Sequence, residues 1–188
     1  MKKSILVPAL FMLSTLVYSC NNENSSNEQA EEANEEKFED RDIQRDADFA
    51  VKAASGGLME VRMGELALSN ANSEAVRDFG RTMIQEHGQA NEELKALAQS
   101  KNITLPEVPD NDKLDKVNKL AEKRGAEFDE EYMELMVRDH KDDIDLFKDE
   151  ADNGNDPDIK QWAAGKVPVL ERHLQMAESI KEGIKNKK

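Results

Sequence analysis

The chain has 188 residues, 35% of them charged, and its formal net charge is −14 at pH 7. Binding to nucleic acid requires cationic side chains that neutralise phosphates, so this charge argues against a nucleic-acid partner. It argues equally against electrostatic docking on anionic lipid. Residues 46–186 are enough for one ordinary domain with a single core.

The first 19 residues have the features of a secretory signal peptide. Lys2 and Lys3 precede an apolar stretch, Ile5 to Val17, that is shorter than a typical transmembrane helix. The run from Val17 to Cys20 resembles the lipobox of bacterial lipoproteins, in which the cysteine becomes the acylated first residue. We therefore expect a lipid anchor at Cys20; the alternative is an ordinary signal peptide with a cysteine there by chance.

The segment 20–45 is rich in glutamate and nearly free of aromatic residues. Such a composition cannot bury enough apolar surface to fold, so the sequence predicts a disordered acidic tether after Cys20. An acidic stretch in this position also resembles the export signals of surface lipoproteins in some Gram-negative bacteria. The expected location is the bacterial cell envelope, at the periplasmic or surface face of the outer membrane.

The remaining sequence predicts an all-α fold. Apolar residues recur with helical spacing in four long segments, and no stretch has the alternation typical of a strand. Short breaks near Asn72 and Asn155 predict two helical hairpins, and a crossover of about 25 residues joins them to form a four-helix bundle. The predicted long helices are about 46–70, 73–101, 127–151 and 157–185, with a short helix at about 113–123 in the crossover.

All three histidines occupy positions on apolar helix stripes. His87 lies between Met83 and Ala90 on its stripe, and His140 and His173 interrupt theirs in the same way. Burying an imidazole without a partner costs several kcal/mol, so each ring needs a hydrogen-bond acceptor, a carboxylate or a metal.

Helices rise about 1.5 Å per residue, so the number of residues between a side chain and its hairpin turn gives the position of that side chain along the bundle axis. By this measure Glu60 and the three histidines lie near one level, at the middle of their helices. One interpretation is a metal site for zinc, copper or iron. Its ligands would be His87, His140, His173 and Glu60, with Asp143 and Glu65 as further candidates. The alternatives are a metal-free buried polar cluster that fixes helix packing, and solvated histidines at the edge of the core.

The folded region, about 48–180, resembles a family of exported bacterial proteins known as domain of unknown function 4142. That family is placed with the ferritin-like four-helix bundles and is often described as outer-membrane protein. The resemblance spans all four helices and rests on Phe49, Ala53-Ala54, Gly57-Leu58-Met59-Glu60, Val76-Arg77-Asp78-Phe79-Gly80, Met83-Ile84-Gln85-Glu86-His87, Phe128-Asp129, Tyr132, His140 and Val167-Pro168-Val169-Leu170-Glu171-Arg172-His173-Leu174.

The sequence departs from the di-iron pattern of ferritin-like proteins, which places a glutamate three residues before each ligand histidine. Ile84, Val137 and Leu170 occupy those positions here. Ferroxidase and oxygenase chemistry therefore does not carry over, and no other catalytic motif is present. The sequence predicts a lipid-anchored, non-enzymatic envelope protein that binds a metal at the mid-bundle cluster. The alternative is a structural or partner-binding module, including a homodimer, in which the cluster only fixes helix packing.

Overall fold

The computed structural model describes residues 25–186, and this part of the chain is all-α, as predicted. No helix within it has both the length and the apolar character that crossing a membrane requires. The predicted signal peptide and Cys20 lie outside the described residues. The helices are α1 (Ser26–Glu35), α2 (Arg41–Asn70), α3 (Glu74–Ser100), α4 (Asn111–Ala121), α5 (Gly125–Asn153) and α6 (Pro157–Lys185).

The two hairpins, α2–α3 and α5–α6, pack together as a four-helix bundle. The backbone of Ala71, at the turn of the first hairpin, pairs with Gly125 at the start of α5. At the opposite end, the carboxylate of Asp46 accepts hydrogen bonds from the backbone N–H groups of Asn155 and Asp156 in the second turn. Helices α3 and α5 therefore run in the same direction, and the crossover that contains α4 returns along α2.

The hydrophobic core consists of two clusters stacked along the bundle. One is centred on Phe49, Phe147 and the partly buried Trp162, which contact one another edge-on or tilted. The other contains Phe79 and Tyr132 together with five buried methionines from three helices. On α3, α5 and α6, the histidine lies between residues of the first cluster and residues of the second. The site is therefore a polar layer between two apolar ones.

Helices α2 and α3 approach each other closely beside this layer. A Cβ atom on Gly64 would lie 2.8 Å from the carbonyl oxygen of Gly80, and one on Gly80 would lie 2.7 Å from the Cβ of Ala67. These distances are shorter than side chains tolerate, so glycine is required at both positions. The glycines bring α3, which carries His87, against α2, which carries Glu60.

The start of α3 is held by a residue of the second hairpin. Ser73 occupies the N-cap position, but its side chain makes no capping hydrogen bond. Instead the carboxylate of Asp129 on α5 accepts hydrogen bonds from the backbone N–H groups of Asn72 and Ser73, at 3.0 and 2.9 Å. This contact fixes the level of α3 relative to α5.

The acidic segment differs from the expectation of a disordered tether over 20–45. Its described part folds as α1, and α2 begins at Arg41, five residues earlier than expected. Ser25 and Glu28 form a capping box at the start of α1. The buried side chain of Asn34 exchanges two hydrogen bonds with the backbone of Thr104, at 2.7 and 3.0 Å. Specific polar contacts, more than buried apolar area, hold α1 in place. The amino-acid composition of the segment does not reveal such contacts.

Candidate metal centre

The three histidines meet in the middle of the bundle. His87 on α3, His140 on α5 and His173 on α6 are all buried, with ring centroids 5.3–5.6 Å apart. One ring nitrogen from each lies within 4.8 Å of the corresponding nitrogens of the other two. From the rise per residue of a helix, the sequence predicts that the three histidines lie at one level along the bundle axis. This geometry agrees with that prediction. We call this group the histidine triad.

The carbonyl oxygen of Met136 fixes the ring of His140. His140 Nδ1 lies 2.9 Å from this oxygen, one helical turn earlier on α5. A carbonyl oxygen only accepts hydrogen bonds, so Nδ1 carries the proton in the neutral ring. The other nitrogen, Nε2, then bears a lone pair, and it is buried without a hydrogen-bond partner.

Carboxylates hold the other two rings in the same way. His87 Nδ1 lies 2.7 Å from Glu60 Oε2, and His173 Nε2 lies 3.0 Å from Glu86 Oε2. Burial acts to raise the pKa of Glu86, but hydrogen bonds from Arg172 and His173 outweigh it and lower that pKa, so Glu86 is an ionised acceptor. The opposite nitrogens, His87 Nε2 and His173 Nδ1, are buried and have no partner.

The triad is held in its neutral form. Burial lowers the pKa of each of the three imidazoles to about 4. At neutral pH each ring therefore offers one nitrogen lone pair, and each lone pair lies in the protein interior. Neutral imidazoles of this kind, oriented by a hydrogen bond at the other ring nitrogen, are the form in which histidine binds metals.

The geometry fits a transition metal after a small adjustment. Two nitrogens bound at about 2.1 Å to a tetrahedral zinc ion are roughly 3.4 Å apart. One ring nitrogen from each histidine lies within 4.8 Å of those of the other two, so movements of little more than an ångström bring the three nitrogens to a shared ion. Three nitrogen donors suit zinc, copper or iron and leave at least one coordination position for another ligand.

Glu60 lies behind the triad. Besides its contact with His87, its second oxygen, Oε1, is 3.4 Å from His140 Nδ1 and has no hydrogen-bond partner. Burial raises the pKa of Glu60 to about 7, against the lowering influence of His140. In this position Glu60 contacts the Nδ1 atoms of His87 and His140 and orients these two rings from behind.

The two further ligand candidates have different positions. Asp143 is half-buried and lines a cavity beside the triad, where burial and the charge of Glu60 raise its pKa well above the usual range. Glu65 is exposed on α2 and is not part of the cluster. The two glutamates of α2 are five residues apart, which places them about 140° apart around the helix.

Sequence reasoning missed the role of Glu86. Because Glu86 precedes His87 by one residue, the two side chains point about 100° apart around α3, and helical spacing alone gives no reason to place Glu86 at the site. It pairs with Arg172, at 2.5 Å, but the same carboxylate also reaches His173 on the neighbouring helix. The sequence feature that points to this role is the pair Arg172-His173. It places a cationic side chain, which attracts a carboxylate, next to a candidate metal ligand.

A cavity of about 280 Å³ opens beside the triad. His87 and His173 are part of its wall, together with Glu60 and Asp143, whereas His140 lies deeper in the bundle. The side of the triad that faces the cavity is accessible to small molecules.

Comparisons with known proteins identify the domain but no activity. The sequence pattern of the family described as a domain of unknown function (DUF4142) matches residues 27–180. A crystal structure of DUF305 from Streptomyces coelicolor, a protein inferred to be secreted, matches with a TM-score of 0.64 and 16% sequence identity. The match covers 74% of this chain and 91% of that chain, and at this identity it shows the fold alone. No curated protein matches the chain.

Proposed function

The chain belongs to the DUF4142 family, and on this premise we propose that it is an exported envelope protein that binds a transition metal through the histidine triad. The ligands are His87, His140 and His173, and Glu60 and Glu86 orient two of their rings. The observation that carries this proposal is the set of three buried imidazole nitrogens that have no hydrogen-bond partner.

An uncompensated polar atom in a protein interior costs free energy. Leaving a buried donor or acceptor unsatisfied costs about 1–3 kcal/mol, and the triad holds three such atoms within one small volume. A metal-free polar cluster that only fixes helix packing would pair these atoms with one another or with their neighbours. A metal ion satisfies all three lone pairs at once, which favours metal binding over a purely structural cluster.

Zinc, copper and iron all accept three neutral imidazoles, and the triad offers no thiolate that would select among them. We propose metal binding or buffering as the role, without a catalytic reaction. The apolar layers above and below the triad restrict access of water to one side. This restriction favours retention of a bound ion.

We further propose that the protein is exported and carries a lipid anchor. The apolar leader and the run ending in Cys20 support removal of residues 1–19 and acylation of Cys20 in the cell envelope, with the outer membrane as destination. The inferred secretion of the structurally similar DUF305 protein is consistent with export. Fractionation of cells that produce Cys20→Ser tests the anchor: the variant should leave the membrane fraction, and its unchanged retention there would rule the anchor out.

Elemental analysis of the purified protein, without an added histidine tag, tests metal binding. We expect near-stoichiometric metal after exposure to excess zinc or copper. His140→Ala should lose most of it, because the deepest of the three donors is removed. Glu60→Gln should weaken affinity by about 10–100-fold, since it replaces the carboxyl group that orients His87 with an uncharged amide, which is a weaker acceptor.

Glu65→Gln is the matched control for Glu60→Gln, because it makes the same change on an exposed face of α2. It should keep full metal content. Thermal unfolding with and without a chelator gives a second measurement: a free metal concentration about 100 times Kd adds about 2.7 kcal/mol of stability. Equal stability in both conditions, together with no bound metal after reconstitution, would leave the metal-free polar cluster as the correct interpretation.

A further inference from the structure

The cavity beside the triad has two ligand residues in its wall. His87 and His173 both line it, so a metal bound by the triad would present a coordination position toward this space. The two apolar clusters and the buried His140 lie on other sides of the triad. A fourth ligand that comes from solution would therefore enter through the cavity.

The volume limits the size of that ligand. A cavity of about 280 Å³ is slightly smaller than the roughly 300–1,000 Å³ of pockets that hold drug-sized molecules. It is far larger than the roughly 30 Å³ that one water occupies in the liquid. It therefore has room for a ligand of a few heavy atoms, such as a single small ring.

The charge of the wall disfavours an anion. The ionised carboxylate of Glu86 lines the cavity, and the only lining cation in the described chain, Lys166, is already paired with Glu93. An anionic ligand would lie near the carboxylate of Glu86 in a partly desolvated space, where like charges repel. A neutral donor avoids this cost.

The rest of the wall suits a small aromatic ring. Trp162, Phe147 and Leu170 form an apolar side, and the side-chain amide of Asn91 adds a polar group. The amide of Asn91 occupies the space that a Cβ on residue 57 would need, so Gly57 allows the amide to lie there. An apolar wall with a few polar groups is typical of small-molecule sites.

We propose that this cavity binds a small neutral nitrogen heterocycle of the imidazole class as an exchangeable fourth ligand of the metal. The inference rests on the proposed metal site. It assigns the protein a second binding function, in which the metal is held by the triad and a small donor from solution completes its coordination.

Visible absorption and electron paramagnetic resonance of the copper-loaded protein test this proposal, with free imidazole as the probe. Titration should produce a saturable spectral change while elemental analysis shows that copper stays bound. Azide, a small anionic donor, should bind more weakly than imidazole. Both titrations use the full protein at neutral pH.

Variants that fill the cavity test most directly whether imidazole binds there. Ala90→Trp and Val169→Trp place an indole in the cavity wall without altering a triad residue, and each should weaken imidazole binding by about tenfold or more. Ala164→Trp is the control, because Ala164 is exposed on α6 and does not line the cavity. It should bind imidazole as the unmodified protein does. Copper content reports whether each variant is folded.

The outcomes separate this inference from the metal site. If copper binds stoichiometrically but imidazole causes no spectral change, the ligand proposal is wrong and the metal site stands. Tighter binding of azide than of imidazole, or equal imidazole binding by both cavity-filling variants and the control, also overturns it. If no copper binds at all, both proposals fail together.

Discussion

Each imidazole of the triad has one nitrogen engaged and one free, and the engaged nitrogen differs among the rings. His140 and His87 use Nδ1, toward the carbonyl of Met136 and the carboxyl of Glu60. His173 uses Nε2, toward Glu86. The partner therefore selects which nitrogen is available to a metal, because a ring held by an acceptor keeps its proton on that side.

The lowered pKa values predict how acid affects the apo protein. Each histidine has a pKa of about 4 in the folded state, compared with an ordinary value of 6.5. Between these values the unfolded chain binds more protons, so the contribution of the triad to stability is complete above pH 6.5 and is lost as the pH falls toward 4. Glu60 acts in the opposite sense between pH 4.5 and about 7, because its folded-state pKa is raised.

Since these effects oppose one another in the unfolding free energy, protonation of the rings is the cleaner measurement. Nuclear magnetic resonance of the imidazole nitrogens at pH 5.5 should show all three rings neutral in the folded protein and charged after unfolding in urea. Titration of any of the three near pH 6.5 in the folded state would show that its ring is solvated, as in the third interpretation of the sequence.

At the scale of the helices, the distance between α2 and α3 sets the position of Glu60 against His87. That distance depends on Gly64 and Gly80, which lie on facing surfaces with no room for a methyl group. A glycine in a helix costs roughly 0.5–1 kcal/mol relative to alanine. The close approach offsets this cost by bringing the backbones into van der Waals contact.

Gly80→Ala should therefore destabilise the protein by about 1–3 kcal/mol, since the added methyl group meets Ala67 and the backbone of Gly64. Urea denaturation measures the change. Gly88→Ala, on the same helix, is the matched control: a Cβ there meets no atom within 4 Å, so the substitution should stabilise by up to about 1 kcal/mol. Equal effects of the two substitutions would contradict the close-contact argument.

At the scale of the whole molecule, α1 extends the bundle beyond the four long helices. It packs against α2, and Asn34 joins it to the crossover through Thr104. Lys37 adds contacts to the same segment, donating to the carbonyl oxygen of Asn102 at 3.2 Å and to the hydroxyl of Thr104. The described part of the acidic segment is therefore docked on the bundle and does not act as a free tether.

Asn34→Ala tests this docking. Loss of the two hydrogen bonds should cost about 1–3 kcal/mol locally and loosen α1, because Asn34 is the residue of this helix that joins it to the crossover. Hydrogen exchange should become fast throughout residues 26–35 while metal content is unchanged. Glu35→Ala, an exposed position on the same helix, should leave the exchange slow. Rapid exchange of α1 in the unmodified protein would instead support the tether expected from composition.

The sequence alone determined the four long helices, the two hairpins and the shared level of the triad. These features depend on local rules: apolar residues recur with the helical period, Asn-rich breaks end helices, and a fixed rise per residue converts position into depth. For the same reason the expected boundaries of α3 and α6 lie within one residue of those in the structure.

Only the tertiary structure decided which groups face each imidazole and which nitrogen remains free. The role of Glu86 depends on a contact with His173 across two helices, and the docking of α1 depends on a buried Asn34 that pairs with a distant loop. Such contacts follow from side-chain direction and from the packing of segments far apart in the chain. Helical periodicity fixes which face of a helix a residue occupies, whereas only the packed bundle fixes what that face meets.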